Sequence, residues 1–344
     1  MAYGKSLLKK VEHGMRKKRA RPAKIGVKPV FFIHIPKTAG TSFRIAAIRY
    51  YGQGRVCSDY GKNSDNSSAS VKNLTFPGAD LHGLKRTLAV QEVGMITGHV
   101  NLSKYNPIIP LTDIATFLRN PIEQVISHYE HWVRLYGYSG TLEEFVREDR
   151  FANVQSRCLS GVPVSLIGFV GLADAYDPSV DIFNHTYGVQ FETLFMNTKT
   201  TSGGSAPIYG SIEEVDPAMV ALIRRRNRLD IDCYSKAQQL FKQRQDLIAS
   251  DQPITYGIVR VQDGTKVSGI AFRRDCDRPV SLDFLINDEK VGETRACEFR
   301  PNMQTWSSPR SGCVGFRYTL EKPLGEGDQF SCKVGETGQE LLHE

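Results

Sequence analysis

The sequence lacks any apolar segment of the roughly 18–20 residues that a membrane-spanning helix needs. Its N-terminal stretch also lacks the apolar run of about 7–15 residues that follows the positive charges of a secretory signal. Neither a membrane-spanning helix nor a secretory signal is therefore predicted. We therefore expect a soluble, cytoplasmic protein.

Recognisable cysteine motifs are absent as well. The seven cysteines include no Cys-x-x-Cys pair and no His/Cys spacing of the zinc type, so no metal site is expected. Four cysteines in the last quarter of the chain are spaced so that a disulfide between strands could form: Cys276, Cys297, Cys313 and Cys332. Buried free thiols in a reducing compartment are the favoured interpretation.

The surplus of positive charge is local. The formal charge of the 344 residues is +7, but residues 1–28 hold ten Lys/Arg and one Glu, a net of +9. Residues 29–252 hold 22 basic and 22 acidic side chains, and residues 253–344 hold 12 and 14. A nucleic-acid surface on the folded part is therefore not expected. Residues 1–28 are predicted to be a flexible basic arm that could contact anionic lipid or a polyanionic glycan, or only add solubility.

Apolar runs and turns indicate two folded parts. With 40% hydrophobic and 24% charged residues, the chain can bury the cores of two domains. Alternating strands and helices over residues 29–252 predict an α/β domain with a P-loop-like parallel sheet flanked by helices. Strands are predicted at 30–35, 94–100, 114–118 and 169–172, and helices at 43–51, from 121 through 133, over 141–167 and at 216–250 with a break near 229–234. Residues 52–80 and 197–211 read as surface loops.

The last part of the chain differs in character. Short alternating runs separated by Asp-Gly, Asp-Arg-Pro and Asn-Asp turns predict a small all-β sandwich domain over residues 253–344. Its predicted strands include 255–261, 267–272 and 280–286. It shows no catalytic constellation, so it is interpreted as a glycan-binding or partner-binding module, a spacer or a dimerisation module.

Two motifs follow predicted strands and suit anions. After the first strand, a loop of small polar residues enters a helix: Lys37, Thr38, Ala39, Gly40, Thr41 and Ser42. The first amides of a helix and its dipole form a phosphate-sized anion site, and Lys37 adds a positive charge. The loop is not a Walker A motif, because its lysine precedes the glycine. An ordinary capped turn is the alternative.

The second motif runs from Phe117 to Tyr129, where the third predicted strand gives way to a helix. Arg119 at the strand's carboxyl end can form a bidentate pair with a phosphate, and Ser127 lies about two helical turns later. Ligands of open α/β folds collect at the carboxyl ends of strands. Two predicted anion-binding elements at the same edge of the sheet therefore strengthen the prediction of a ligand site there.

These motifs resemble a known family. Residues 33–43 are similar to the 5′-phosphosulfate loop of carbohydrate sulfotransferases of the heparan sulfate 2-O-sulfotransferase type, and residues 117–129 are similar to their 3′-phosphate motif. The resemblance covers roughly residues 29–245 and indicates a bacterial member. It implies transfer of a sulfuryl group from 3′-phosphoadenylyl sulfate (PAPS) to a carbohydrate hydroxyl, of a surface polysaccharide or glycolipid, without a metal. Residues 253–344 more loosely resemble accessory β-sandwich modules of bacterial glycan-processing enzymes.

The resemblance also implies roles for single residues. Lys37 and the amides of residues 38–42 would hold the 5′-phosphosulfate, and Lys37 would stabilise the charge on the leaving oxygen. Arg119 and Ser127 would hold the 3′-phosphate. His99, in a Gly-His-Val context, matches the family's catalytic histidine and would act as the general base. Thr97 stands where those enzymes have a further histidine.

Other candidates have simpler interpretations. His34 lies beside the anion loop, and a structural role is favoured over a place facing the acceptor. His128 and His131 could share a metal, but a solvated helix face is favoured. Arginines at 224–226 and 228 are interpreted as a salt-bridged surface near two aspartates. The rival functions are a P-loop nucleotide kinase and a glycan-binding protein with a degenerate transferase domain.

Overall fold

The structure is a computed structural model, and it describes residues 28–76, 78–193, 208–209, 212–306 and 309–344. The predicted basic arm, apart from Lys28, and most of the loop 197–211 lie outside these ranges. Within them, no helix has both the length and the apolar character that a bilayer crossing requires. All seven cysteines are described, and all are free thiols.

The first folded part contains a five-stranded, all-parallel sheet in the order β2-β3-β1-β4-β5. Its strands are β1 (Val30–Ile33), β2 (Val56–Asp59), β3 (Met95–Gly98), β4 (Ile114–Leu118) and β5 (Phe169–Leu172). Every strand residue is buried, as expected for a parallel sheet covered on both faces. The predicted parallel α/β fold is therefore confirmed.

Helices cover the two faces of this sheet. They are α1 (Gly40–Tyr51), α2 (Ala69–Thr75), α3 (Leu81–Val90), α4 (Pro121–Tyr136), α5 (Leu142–Arg147), α6 (Val154–Cys158), α7 (Tyr176–Tyr187), α8 (Pro217–Arg226) and α9 (Arg228–Ala249). Alternate residues of β1 point to opposite faces: Phe31 joins a core with α3 and α9, whereas Phe32 joins a core with α1 and α7. The sheet is thus the middle layer of three.

Three predictions for this part are wrong in detail. Residues 52–80 are not only a surface loop, because they contain α2 and the buried edge strand β2, whose polar sequence gave no apolar signal. Residues 141–167 form only the short helices α5 and α6 with further 3₁₀ turns: the chain is extended at Glu148 and left-handed at Asn153 between the two helices, and Gly161 and Pro163 follow the end of α6. The break in the late helix falls at Asn227, before the predicted position.

The second folded part contains two mainly antiparallel sheets that share one core. Its elements are β6 (Thr255–Gln262), β7 (Lys266–Arg273), β8 (Ser281–Ile286), β9 (Glu289–Arg295), β10 (Glu298–Phe299), α10 (Pro301–Thr305), β11 (Cys313–Thr319), β12 (Phe330–Val334) and β13 (Leu342–His343). One sheet has the order β10-β11-β7-β6-β13, with β13 parallel to β6, and the other β12-β8-β9. Phe316 and Val259 of the first sheet pack with Phe284 of the second.

The two parts are joined by a continuous apolar core. Tyr256 and Phe272 of the second part belong to the same buried cluster as Ile167 and Tyr234 of the first. Arg244 of α9 is almost fully buried there, donates to the carbonyl oxygen of Ile167 at 3.0 Å, and lies 5.3 Å from the centre of the Tyr256 ring. The β-rich part therefore packs directly on the α/β part.

An ion pair also crosses this junction. Arg274 donates from Nε and Nη2 to Oδ1 of Asp113 at 3.0 and 2.8 Å, and from Nη1 to the carbonyl oxygen of Thr186 at 3.0 Å. The Asp113 side chain is only 5% exposed. Burial raises the pKa of Asp113, and Arg274 opposes this rise. Arg274 thus supplies the positive charge that stabilises the buried Asp113 carboxylate.

Replacing Arg274 by methionine is expected to lower the free energy of unfolding by about 3 kcal/mol, because a buried carboxylate loses its partner. Urea denaturation followed by circular dichroism measures the change. Arg260→Met is the control, since Arg260 is exposed on β6 and forms no ion pair within the described ranges. The control should change stability by about 0.5 kcal/mol or less. Equal effects in both variants would contradict the role of the ion pair.

Candidate functional site

The carboxyl ends of three neighbouring strands bring the predicted site residues to one edge of the sheet. Strand β1 lies between β3 and β4, and Ile33 pairs with Gly98 on one side and Thr116 on the other. The anion loop follows β1, His99 follows β3, and Arg119 follows β4. Because the strands are parallel, these segments emerge side by side.

The loop after β1 forms a concave row of backbone amides. Lys37 and Ala39 have φ values of 66° and 68°, so left-handed residues alternate with others, which is typical of anion-binding nests. Two side chains hold the loop: Thr38 donates to the carbonyl oxygen of Ile35 at 3.0 Å, and Gln124 donates to that of Pro36 at 3.0 Å.

The backbone amides of this loop make no hydrogen bonds within the described residues. Within the described residues, the backbone N–H groups from Lys37 to Ser42 have no hydrogen-bond acceptor, and the first amide of α1 to find one is that of Phe43. A row of N–H groups at a helix N-terminus requires an acceptor from solvent or a ligand. The loop can thus bind an anion such as a phosphate or a sulfate.

Lys37 is the charged side chain of this loop. Its pKa is lowered first by burial and then by the positive charges of Arg134 and Arg119, against the opposing charge of Glu130. Positive charges therefore dominate around Lys37. An anion bound between these positive charges would raise the pKa of Lys37 again. The electrostatics and the free amides therefore both favour a negatively charged ligand.

Arg119 is fixed by contacts on both its backbone and its side chain. Its amide donates to Oε1 of Gln155 at 2.9 Å, and its carbonyl oxygen accepts from Nε2 of Gln155 at 2.9 Å. Gln155 is in turn held by Asp230, which accepts from the Gln155 amide at 3.0 Å. The guanidinium pairs with Glu123 at 2.9 and 3.0 Å, and Ser127 lies one turn further along α4.

His99 is held in one orientation. Its Nδ1 lies 2.6 Å from the carbonyl oxygen of His34. Since a carbonyl only accepts, Nδ1 must carry the proton, which leaves the lone pair of the neutral ring on Nε2. His99 is exposed as a residue, but the rings of His34 and Tyr60 lie against its imidazole and shield the ring from solvent. This desolvation lowers its pKa, the hydrogen bond to His34 raises it, and the charge of Arg44 lowers it further. The neutral ring is therefore favoured.

An aromatic cluster surrounds His99. The ring centre of Tyr60 lies 4.9 Å from that of His99, and the His34 ring lies at 4.5 Å. Nδ1 of His34 and the hydroxyl of Tyr60 are 2.9 Å apart, and Arg44 lies over the Tyr60 ring at 5.7 Å. The sequence did not identify Tyr60 as a site residue. Tyr60 follows the polar strand β2 within residues 52–80, which were predicted to be a surface loop.

The remaining candidates lie elsewhere or play other parts. His128 is buried rather than on a solvated helix face, and it accepts a hydrogen bond from Trp132 at 3.0 Å. Burial lowers the pKa of His128 and of His131 to about 4. Across the described ranges, no group of three His, Cys, Asp or Glu side chains is placed to hold a metal ion. Arg226 does form a surface ion pair, but with Asp149 rather than a nearby aspartate of its own segment.

Comparison with known proteins adds one structure. No protein-family model matches the chain, and no curated protein matches it. A solved sulfotransferase from Alicyclobacillus acidocaldarius is similar over 62% of this chain and 96% of its own, with 16% sequence identity and a TM-score of 0.34. A similarity of this size carries no functional argument. The function proposed below therefore rests on the site.

Proposed function

We propose that the protein is a sulfotransferase that uses PAPS to place a sulfuryl group on a carbohydrate hydroxyl. The observation that carries this proposal is the meeting of two elements at one sheet edge: the row of free amides with Lys37, and a histidine whose Nδ1 hydrogen bond leaves the lone pair on Nε2. The first element suits an anionic group, and the second suits removal of a proton from a hydroxyl.

The residues present fit the proposed donor. When bound, PAPS supplies a sulfuryl group whose transfer leaves negative charge on a phosphate oxygen. The amides of Lys37 to Ser42 and the Lys37 ammonium would hold that end and stabilise the charge. Arg119, fixed by Gln155, and Ser127 would hold the 3′-phosphate. The pairing of Arg119 with Glu123 leaves Nη1 of the guanidinium for this contact.

His99 would act on the acceptor. Its Nε2 accepts the proton of the sugar hydroxyl as the hydroxyl oxygen bonds to sulfur, and the hydrogen bond from Nδ1 to His34 stabilises the imidazolium that forms. The carbohydrate class of the acceptor rests on the sequence resemblance of the two motifs.

Calorimetric titration of the full chain tests the donor assignment. We expect adenosine 3′,5′-bisphosphate to bind in the presence of EDTA, because amides, Lys37 and Arg119 supply the contacts. Arg119→Gln should weaken binding about tenfold, the cost of one charge-assisted contact. Arg147→Gln is the control, since Arg147 is paired with Glu143 on the exposed side of α5.

Two other results would favour the rival functions. Binding of ATP that requires Mg²⁺, with no binding of the bisphosphate, would indicate a nucleotide kinase. Binding of the bisphosphate without transfer of labelled sulfate to any member of a glycan panel would indicate a degenerate transferase domain.

A further inference from the structure

The site contains a second histidine for which the proposed function has no role. His34 lies in the segment that leaves β1, is 8% exposed, and has its ring centre 4.5 Å from that of His99. The two imidazoles are inclined by 43°, so they are not stacked. His34 therefore lies where the amide loop and the proposed base meet.

Tyr60 is the hydrogen-bond partner of Nδ1 of His34. The Tyr60 hydroxyl lies 2.9 Å from Nδ1 of His34 and has no other side-chain partner in the part of the chain that the structure describes. Burial raises the pKa of Tyr60, so its hydroxyl keeps its proton and needs an acceptor. Nδ1 of His34 is the atom in reach. A neutral imidazole that accepts this proton at Nδ1 carries its own proton on Nε2, whereas an Nδ1–H that donates to Tyr60 leaves Nε2 without a proton.

His34 remains neutral at this position. Its pKa is lowered well below the ordinary value, first by burial and then by the neighbouring charges of His99, Arg44 and Lys37. With Tyr60 as the donor, the two histidines have opposite tautomers. His99 presents a lone pair at Nε2, whereas His34 presents an N–H group at Nε2.

Nε2 of His34 is placed against the amide loop. A β-carbon added to Gly40 would lie 2.2 Å from Cδ2 and 2.6 Å from Nε2 of His34. The imidazole therefore occupies the space of a side chain at the first residue of α1. Nε2 has no hydrogen-bond partner among the described residues and is not fully enclosed. It adds a side-chain donor to the row of free amides.

We propose that His34 is a second catalytic residue, whose Nε2–H donates to an oxygen of the sulfuryl group during transfer. The inference rests on the proposed function. In the step, the acceptor oxygen bonds to sulfur, the bond from sulfur to the phosphate oxygen breaks, and that oxygen keeps the electron pair. The acceptor proton goes to Nε2 of His99, and His34 keeps its proton. The hydrogen bond from Tyr60 makes Tyr60 a positioning residue.

Nitrogen NMR of the full chain with isotopically labelled histidine tests the tautomers without any turnover. We expect His34 to be the Nε2–H form and His99 the Nδ1–H form, with the His34 signals assigned by their loss in His34→Gln. Tyr60→Phe should remove the preference at His34 and leave His99 unchanged. Tyr50→Phe is the control, because the Tyr50 ring packs against Tyr51 and Phe191 and its hydroxyl has no hydrogen-bond partner among the described residues. An Nδ1–H form of His34 would overturn the proposal.

A pair of substitutions separates a donor from a space-filling role. Glutamine places its amide nitrogen near Nε2 of histidine, whereas asparagine places it near Nδ1. His34→Asn should lower kcat about 10²-fold, the usual cost of one lost donor to a developing charge, and His34→Gln should lower it about tenfold or less. Affinity for adenosine 3′,5′-bisphosphate should be unchanged in both, since this ligand has no sulfuryl group.

The outcomes distinguish this inference from the proposed function. Equal losses of kcat in the two variants, with bisphosphate affinity intact, would overturn the donor role of His34 alone. Loss of bisphosphate affinity in both would show that His34 only supports the loop. Failure of the unmodified protein to bind the bisphosphate would overturn the proposed function itself.

Discussion

Replacement of His99 by alanine is expected to lower kcat by about 10²–10⁴-fold, the usual contribution of a general base. The reason is that the hydrogen bond from Nδ1 to the His34 carbonyl leaves the lone pair of the His99 ring on Nε2. Affinity for adenosine 3′,5′-bisphosphate should be retained, because that ligand is held by the amide loop and Arg119. Steady-state kinetics with labelled PAPS, together with calorimetry, measure both quantities.

The same residue determines the pH dependence of kcat/KM. Only the neutral imidazole accepts a proton, and the lowered pKa of His99 keeps it neutral to a pH below 6.5. The rate should therefore hold as the pH falls from neutrality and decline only below 6.5. His185→Ala, at an exposed position of α7, is the control and should leave kcat and its pH profile unchanged. Parallel loss of turnover and of bisphosphate affinity in His99→Ala would indicate a structural role instead.

Replacement of Lys37 by methionine is expected to lower kcat by about 10²–10³-fold, as for removal of one group that stabilises a developing negative charge. Methionine keeps much of the aliphatic length, so the effect isolates the charge. The pKa of Lys37 is already lowered by burial, Arg134 and Arg119, which shows that the site concentrates positive charge before any ligand binds.

Calorimetry separates the two ways in which Lys37 could act. Bisphosphate affinity should fall less than kcat, because the free amides of the loop remain in the variant. Lys85→Met, at an exposed position of α3, is the matched control and should change neither quantity. A Lys37→Met protein with normal kcat would exclude Lys37 from the stabilisation of the leaving oxygen.

Much of the sheet was predictable because its central strands are apolar on both faces. Phe31, Phe32, Ile114 and Phe117 are buried, and runs of this kind cannot remain in solvent. The loop after β1 was predictable for a related reason, since small polar residues between a strand and a helix leave helix amides free. These signals are local in the chain.

Other parts of the site carry no local signal. Strand β2 reads as polar, yet its residues are buried because the backbone pairs with β3, with Cys57 opposite Ile96. Gln155 looks like any helix residue, but it holds both backbone groups of Arg119 from a segment distant in the chain. Contacts of this kind depend on chain crossings that periodicity does not encode.

The sequence by itself determined the parallel sheet, the anion loop with Lys37, and the strand-to-helix turn with Arg119. Local apolar patterns and the chemistry of helix N-termini are enough for these. Only the tertiary structure decided which lone pair His99 presents, and that His34 and Tyr60 lie beside it. A tautomer depends on the partner of each ring nitrogen, and those partners lie on three different strand ends that meet only when the sheet has formed.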